Sequence, residues 1–242
     1  MPADPLRSTC GWMIKRCIFP DAEAVASAFA DAILHQFDSA RHTRQGPIGL
    51  MLPGGRTPKA AYMKVAASHR AIPPDVHLLL SDERHVPLDH PDSNYHMMTP
   101  FMDAVGATLE QRLMVRTELP RAEAAADFGR RLGDFFEQGG TLDTCFLGLG
   151  ADGHTASLFS EEHLKASEGK NAIDVDRPDG RVGISATPSI FQRARRVVFV
   201  VTGADKKEMA DQLVRHPLSI IAGQAVYPHA RVELWMDRDA VA

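Results

Sequence analysis

The chain has 242 residues, 44% hydrophobic and 24% charged. That is ordinary globular composition and excludes a disordered, collagenous or coiled-coil character. Lys and Arg number 27 against 31 Asp and Glu, a net charge of −4, which gives no support to nucleic-acid binding by phosphate neutralisation yet allows a small anionic ligand held by a few local cations. No apolar run is long enough for a membrane span. Arg7, Lys15 and Arg16 interrupt the N-terminal stretch where a signal peptide needs an apolar core. Cys10, Cys17 and Cys145 form no C-x-x-C pair, against a disulfide framework or zinc knuckle. The expected setting is soluble, reducing and cytoplasmic.

From Ala22 to Ala40 the apolar residues Val25, Phe29, Ile33 and Phe37 mark one helix face. Pro47–Leu52 reads as a buried strand ending in Pro53-Gly54-Gly55. Thr57, as N-cap, and Pro58 open a helix to about Ser68. Val76–Ser81 is the next buried strand, Asp82–Asn94 reads as loop, and a helix disturbed by Pro100 runs to about Val105. Pro120–Glu137 is helical, with Ala124, Phe128, Leu132 and Phe135–Phe136 as its buried stripe. Thr144–Leu149 is a strand, and the polar stretch Glu161–Gly180 reads as loop with some helix. Arg196–Thr202 is a buried strand, a helix follows from about Asp205 to Arg215, and Arg231–Met236 alternates like an edge strand. Buried strands separated by helices predict a single-domain α/β fold over residues 1–242, with a mostly parallel sheet covered by helices on both faces. Such sheets bind ligands beyond the carboxyl ends of their strands.

The residues after the strands carry the unusual chemistry. Pro53-Gly54-Gly55-Arg56-Thr57-Pro58 brings backbone N–H groups and a helix N-terminus together, which suits a phosphate but also fits a plain tight turn. Ser81-Asp82-Glu83-Arg84 sets consecutive carboxylates beside a guanidinium, a pattern that orients hydroxyls or holds an anion. The nearby His85, Asp89, His90 and Asp92 lack the spacing of helix-borne metal ligands and read as a solvated cluster. Gly148-Leu-Gly-Ala-Asp152-Gly153-His154 matches G-x-G-x-x-G. Asp152 would nevertheless place a carboxylate where a pyrophosphate sits, so the glycines are read as presenting Asp152 and His154. Imidazole is the side chain best suited to moving protons near neutral pH. In Thr202-Gly-Ala-Asp-Lys206-Lys207, a cation in a first helical turn opposes the helix dipole unless an anion sits there.

Taken in order, GGRTP, SDERHVPLDHPDSNY, LGLGADGHTASLF and VTGADK resemble the 6-phosphogluconolactonases, within the superfamily that also holds the glucosamine-6-phosphate isomerases and deaminases. The resemblance runs from about Pro20 to Asp237. It implies a Rossmann-like fold and a metal-free, cofactor-free hydrolysis of a phosphorylated sugar lactone. It implies His154 as catalytic base, with Asp152 as its orienting or electrostatic partner. Gly54, Gly55, Thr57, Asp82, Glu83, Arg84, Arg181 and Lys206 are the implied substrate-binding residues. The expected partner is the small-molecule substrate, with no nucleic acid and no membrane, and the expected state a monomer or small homo-oligomer. The chain departs from the usual pattern in Pro53, where a small polar residue is common, and in Gly183-Ile-Ser185, where Thr-Leu-Thr is more usual. The alternatives are an isomerase or deaminase acting on an amino-sugar phosphate, and a sugar-phosphate sensor that would not need His154. Against the former, the isomerases carry a Glu five residues after the motif histidine, where this chain has Phe159.

Overall fold

The computed structural model describes residues 12–40 and 46–242; Arg7 and Cys10 lie outside them. In chain order the elements are β1 (Ile14–Phe19), α1 (Ala22–Ala40), β2 (Ile48–Leu52), α2 (Arg56–Ala67), β3 (Val76–Leu80), β4 (Asp82–Arg84), α3 (Asn94–Ala104), β5 (Arg112–Leu113) and α4 (Arg121–Glu137). There follow β6 (Thr141–Gly148), α5 (Glu161–Ala166), β7 (Ala172–Asp176), β8 (Val182–Ala186), α6 (Pro188–Phe191), β9 (Arg196–Val201), α7 (Lys207–Arg215), α8 (Ile221–Val226) and β10 (Val232–Asp237). Seven strands form a parallel sheet in the order β1-β10-β9-β6-β2-β3-β5, and β4-β8-β7 form a small antiparallel sheet.

The apolar runs become central strands because helices cover both of their faces. Every residue of β2 is buried, as a strand enclosed on both sides requires. On one face Val25, Phe29, Ile33 and Phe37 of α1 are fully buried with Tyr62 of α2 and Phe101 of α3. The Phe29 and Phe146 rings lie 4.2 Å apart there. On the other face Phe128 and Leu132 of α4 join Phe191 of α6, Leu213 of α7 and Ala225 of α8. Each such large side chain contributes about 1.5–3 kcal/mol when fully buried. The result is the expected Rossmann-like α/β architecture.

Several elements differ from the sequence reading. β10 is an inner strand, flanked by β9 and by β1, which is the edge. Its alternation reflects a buried carboxylate: Glu233 accepts the Trp235 indole N–H at 3.0 Å and faces Arg231 at 3.6 Å and Arg196 at 3.8 Å. Asp82–Arg84 is strand β4, paired with β8, where a loop was expected. The polar stretch Glu161–Gly180 holds α5 and β7. Thr57 is no N-cap, since Gly55 occupies that position with φ +118°.

The chain runs from β2 to β3 on one side, whereas β6 lies on the other side of β2, next to β9. The strand order therefore reverses between β2 and β6, and a crevice opens there at the carboxyl ends of the strands.

Candidate active site

The turns after β2, β6 and β9, with Ser81 and Asp82 beyond β3, line a cleft of about 720 Å³ at this crevice. His154 is on its wall, and Asp152 stands behind it. His154 Nδ1 lies 2.5 Å from Asp152 Oδ1, and the His154 backbone N–H reaches the same oxygen at 3.3 Å. Burial pushes the Asp152 carboxyl up, but its hydrogen bond to His154 and the charge there outweigh this and hold it below the usual aspartate range. An ionised Asp152 only accepts, so in the neutral form of His154 the proton is held on Nδ1 and Nε2 is left with its lone pair. The Phe159 ring packs on the imidazole with centroids 4.3 Å apart, and Thr155 Oγ1 ties the loop back to the Gly148 carbonyl at 2.8 Å. Gly150 makes room for the pair: a Cβ there would lie 2.0 Å from His154 Nδ1 and 2.4 Å from Asp152 Oδ1.

Arg84 closes β4 beside the glycine turn. Its Nη1 donates to Asn94 Oδ1 at 3.0 Å and to the Asp92 carbonyl at 2.8 Å. Asn94 donates in turn to the Asp82 carbonyl at 2.8 Å and packs against Gly54. The buried Nε of Arg84 has no hydrogen-bond partner among the described residues. Gly54, Gly55, Thr57, Asp82 and Lys206 also line the cleft. Thr57 and Thr202 share a hydroxyl hydrogen bond of 2.6 Å that joins the β2 and β9 turns. The Tyr62 hydroxyl donates to the Pro53 carbonyl at 2.7 Å and steadies the first of them. Lys206 lies 3.6 Å from Asp205.

Two of the expected substrate-binding residues lie elsewhere. Glu83 is fully buried and off the cleft wall. Its carboxylate accepts the backbone N–H groups of Asn94, Tyr95 and Arg84 at 2.7, 2.7 and 2.8 Å and the Ser93 hydroxyl at 3.0 Å, so it anchors the start of α3. Burial pushes this carboxyl up against the pull of those donors. Arg181 is outside the cleft because it pairs with Asp92 at 2.7 Å. The sequence reading missed Asn94, which sits inside the DSNY stretch, and Arg177, which lines the cleft from the β7–β8 hairpin. Arg177 precedes Arg181 in a charged turn with no pattern to choose between them.

Residues 20–236 match the family model described as glucosamine-6-phosphate isomerases/6-phosphogluconolactonase. The chain belongs to this family. Its relatives within the isomerase/lactonase family include a 6-phosphogluconolactonase of Nostoc sp., 34% identical over 93% of this chain and 95% of its own length. A Synechocystis sp. 6-phosphogluconolactonase is 38% identical over 70% of this chain and 71% of its own. Among solved structures, the 6-phosphogluconolactonase from Trypanosoma cruzi superposes with a TM-score of 0.82 at 19% identity, over 95% of this chain and 96% of that one. At that identity the likeness speaks for the fold.

Proposed function

We propose that this protein is a 6-phosphogluconolactonase, hydrolysing 6-phospho-D-glucono-1,5-lactone to 6-phospho-D-gluconate in the pentose phosphate pathway. The observation that carries the reading is His154, 2.5 Å from Asp152 behind it, on the wall of a cleft that is also lined by the Gly54-Gly55 turn, Arg84 and Lys206. Neutral His154 accepts a proton at Nε2 from a water that attacks C1 of the lactone. The imidazolium then returns that proton to the ring oxygen as the ester bond breaks. Asp152 holds the tautomer and offsets the charge on His154 in the transition state. A positioned base of this kind contributes typically about 10²–10⁴-fold. Arg84, Lys206 and the glycine-turn N–H groups receive the phosphate, and anchoring it turns remote binding energy into placement of C1. Asp82 is the carboxylate placed to orient sugar hydroxyls. We read the chain as one catalytic domain, monomeric or a small homo-oligomer, working in the cytoplasm.

Within the same family, an isomerase or deaminase role is disfavoured by Phe159. Its ring fills the space against His154 where a carboxylate would be needed for proton work. The deciding experiment offers the protein freshly made phospholactone and, separately, glucosamine 6-phosphate. The coupled signal should exceed spontaneous lactone opening many-fold, with negligible ammonia release from the amino sugar. Ammonia release at a comparable rate would reverse the assignment.

A further inference from the structure

We propose that Arg177 is the cation of the reacting end: its guanidinium donates to the oxyanion that forms on the lactone carbonyl and then to the carboxylate of the opened product. The inference rests on the lactonase reading and adds to it the group that stabilises the transition-state charge. The cleft offers a guanidinium or ammonium at Arg56, Arg84, Arg177 and Lys206. Arg84 is committed to Asn94, beside the glycine turn, and Lys206 to the turn after β9. Arg177 lies instead at the His154 end. Its guanidinium carbon sits 5.1 Å from the centroid of Phe159, the ring on which His154 also packs.

The side chain is held as a prepared donor. Nη1 donates to Ser157 Oγ at 2.8 Å, and that hydroxyl donates to Asp82 Oδ2 at 2.7 Å. Nε faces Asp179 Oδ2 at 3.3 Å, and the side chain is only 10% exposed. Nη2 has no hydrogen-bond partner among the described residues, so one edge of the fork remains to be used. Gly183 of β8 makes this possible, since a Cβ there would lie 2.7 Å from Ser157 Oγ and 3.2 Å from Arg177 Cδ. This gives the departure from the usual Thr-Leu-Thr pattern a physical reason.

The step balances. As the water oxygen bonds to C1, the carbonyl π pair moves onto the carbonyl oxygen and the water proton moves to His154 Nε2. The oxyanion pair then re-forms the carbonyl and expels the ring oxygen, which takes the proton from His154. The carboxylic acid product ionises, releasing one proton to solvent and leaving a carboxylate opposite the guanidinium. Donors fixed before the charge develops need no reorganisation when it does.

The test compares wild type with Arg177→Ala and Arg177→Lys in phospholactone turnover and in the affinities of 6-phosphogluconate and glucose 6-phosphate. The second ligand has the same phosphate but no carboxylate at C1. In Arg177→Ala, kcat should fall by about 10²–10³, the loss typical of one oxyanion donor. 6-Phosphogluconate affinity should weaken roughly ten- to a hundredfold, as for a charge-assisted hydrogen bond, with glucose 6-phosphate within about twofold of wild type. Arg177→Lys, which keeps the charge and so protects the fold, should show the same selective loss to a smaller extent. Equal weakening of both ligands, or an unchanged kcat, would overturn the assignment of Arg177 while lactone opening by the wild type kept the lactonase reading intact. A wild type that opens no lactone would overturn both.

Discussion

Gly150 and His154 illustrate how closely the proposed chemistry depends on single atoms. Any side chain at 150 collides with both members of the Asp152–His154 pair. Gly150→Ala should therefore lower kcat by about 10²–10⁴, as for loss of a positioned base. Because Gly150 is itself buried, the melting temperature should fall as well, with the protein still folded at assay temperature. Steady-state kinetics beside a thermal melt checks this; unchanged kcat would mean the pair does not act. Lys206 is predicted to act on selectivity. Charge-assisted hydrogen bonds are worth about 1.5–3 kcal/mol, so Lys206→Ala should cut kcat/KM for the phospholactone roughly ten- to a hundredfold. It should leave the poor turnover of unphosphorylated gluconolactone almost unchanged. Equal losses for the two substrates would move Lys206 away from the phosphate.

At the scale of elements, α4 is tied down by Asp127, which accepts from Arg131 Nε and Arg130 Nη2, each at 2.8 Å, and lies 3.6 Å from Arg116. Burial pushes its carboxyl up, but the three guanidiniums outweigh burial and hold it below the usual aspartate range. A depressed carboxyl contributes stability that is complete above its unfolded pKa and is lost as pH falls through the folded value. In urea unfolding, the stability gap between wild type and Asp127→Asn should be widest near neutrality and close below about pH 4, the ordinary aspartate value. A gap that widens on acidification would contradict this. The helix itself was legible in its apolar stripe, as were α1 and the strands β2, β3, β6 and β9, because burial on one or both faces writes a simple pattern. Elements stabilised by polar partners were not. β4 is Asp-Glu-Arg, and its carboxylates are satisfied by Ser157 and by the start of α3. β10 hides Glu233 among arginines, and β1 carries Lys15 and Arg16 on a solvent edge.

At the scale of the whole molecule, the two sheets meet at the site. The parallel sheet delivers the glycine turn, the His154 loop and Lys206, all legible as post-strand segments of an α/β fold. The antiparallel sheet delivers Arg84 and Arg177, and the second was invisible because the sheet that carries it left no apolar signature. Its β7–β8 hairpin closes through Arg177 N–H to the Arg181 carbonyl at 2.8 Å, yet only Arg177 faces the cleft, while Arg181 pairs with Asp92. Glu83 turns inward for a related reason: three of its four donors, from Ser93, Asn94 and Tyr95, come from the start of α3 and are brought to it by the fold. The central claim is that His154 deprotonates the attacking water in a phosphate-anchored lactone. It is tested most directly by the kcat of His154→Ala on freshly made phospholactone, corrected for spontaneous opening. The account predicts a fall of about 10²–10⁴ with little change in 6-phosphogluconate affinity; a kcat equal to wild type would contradict it.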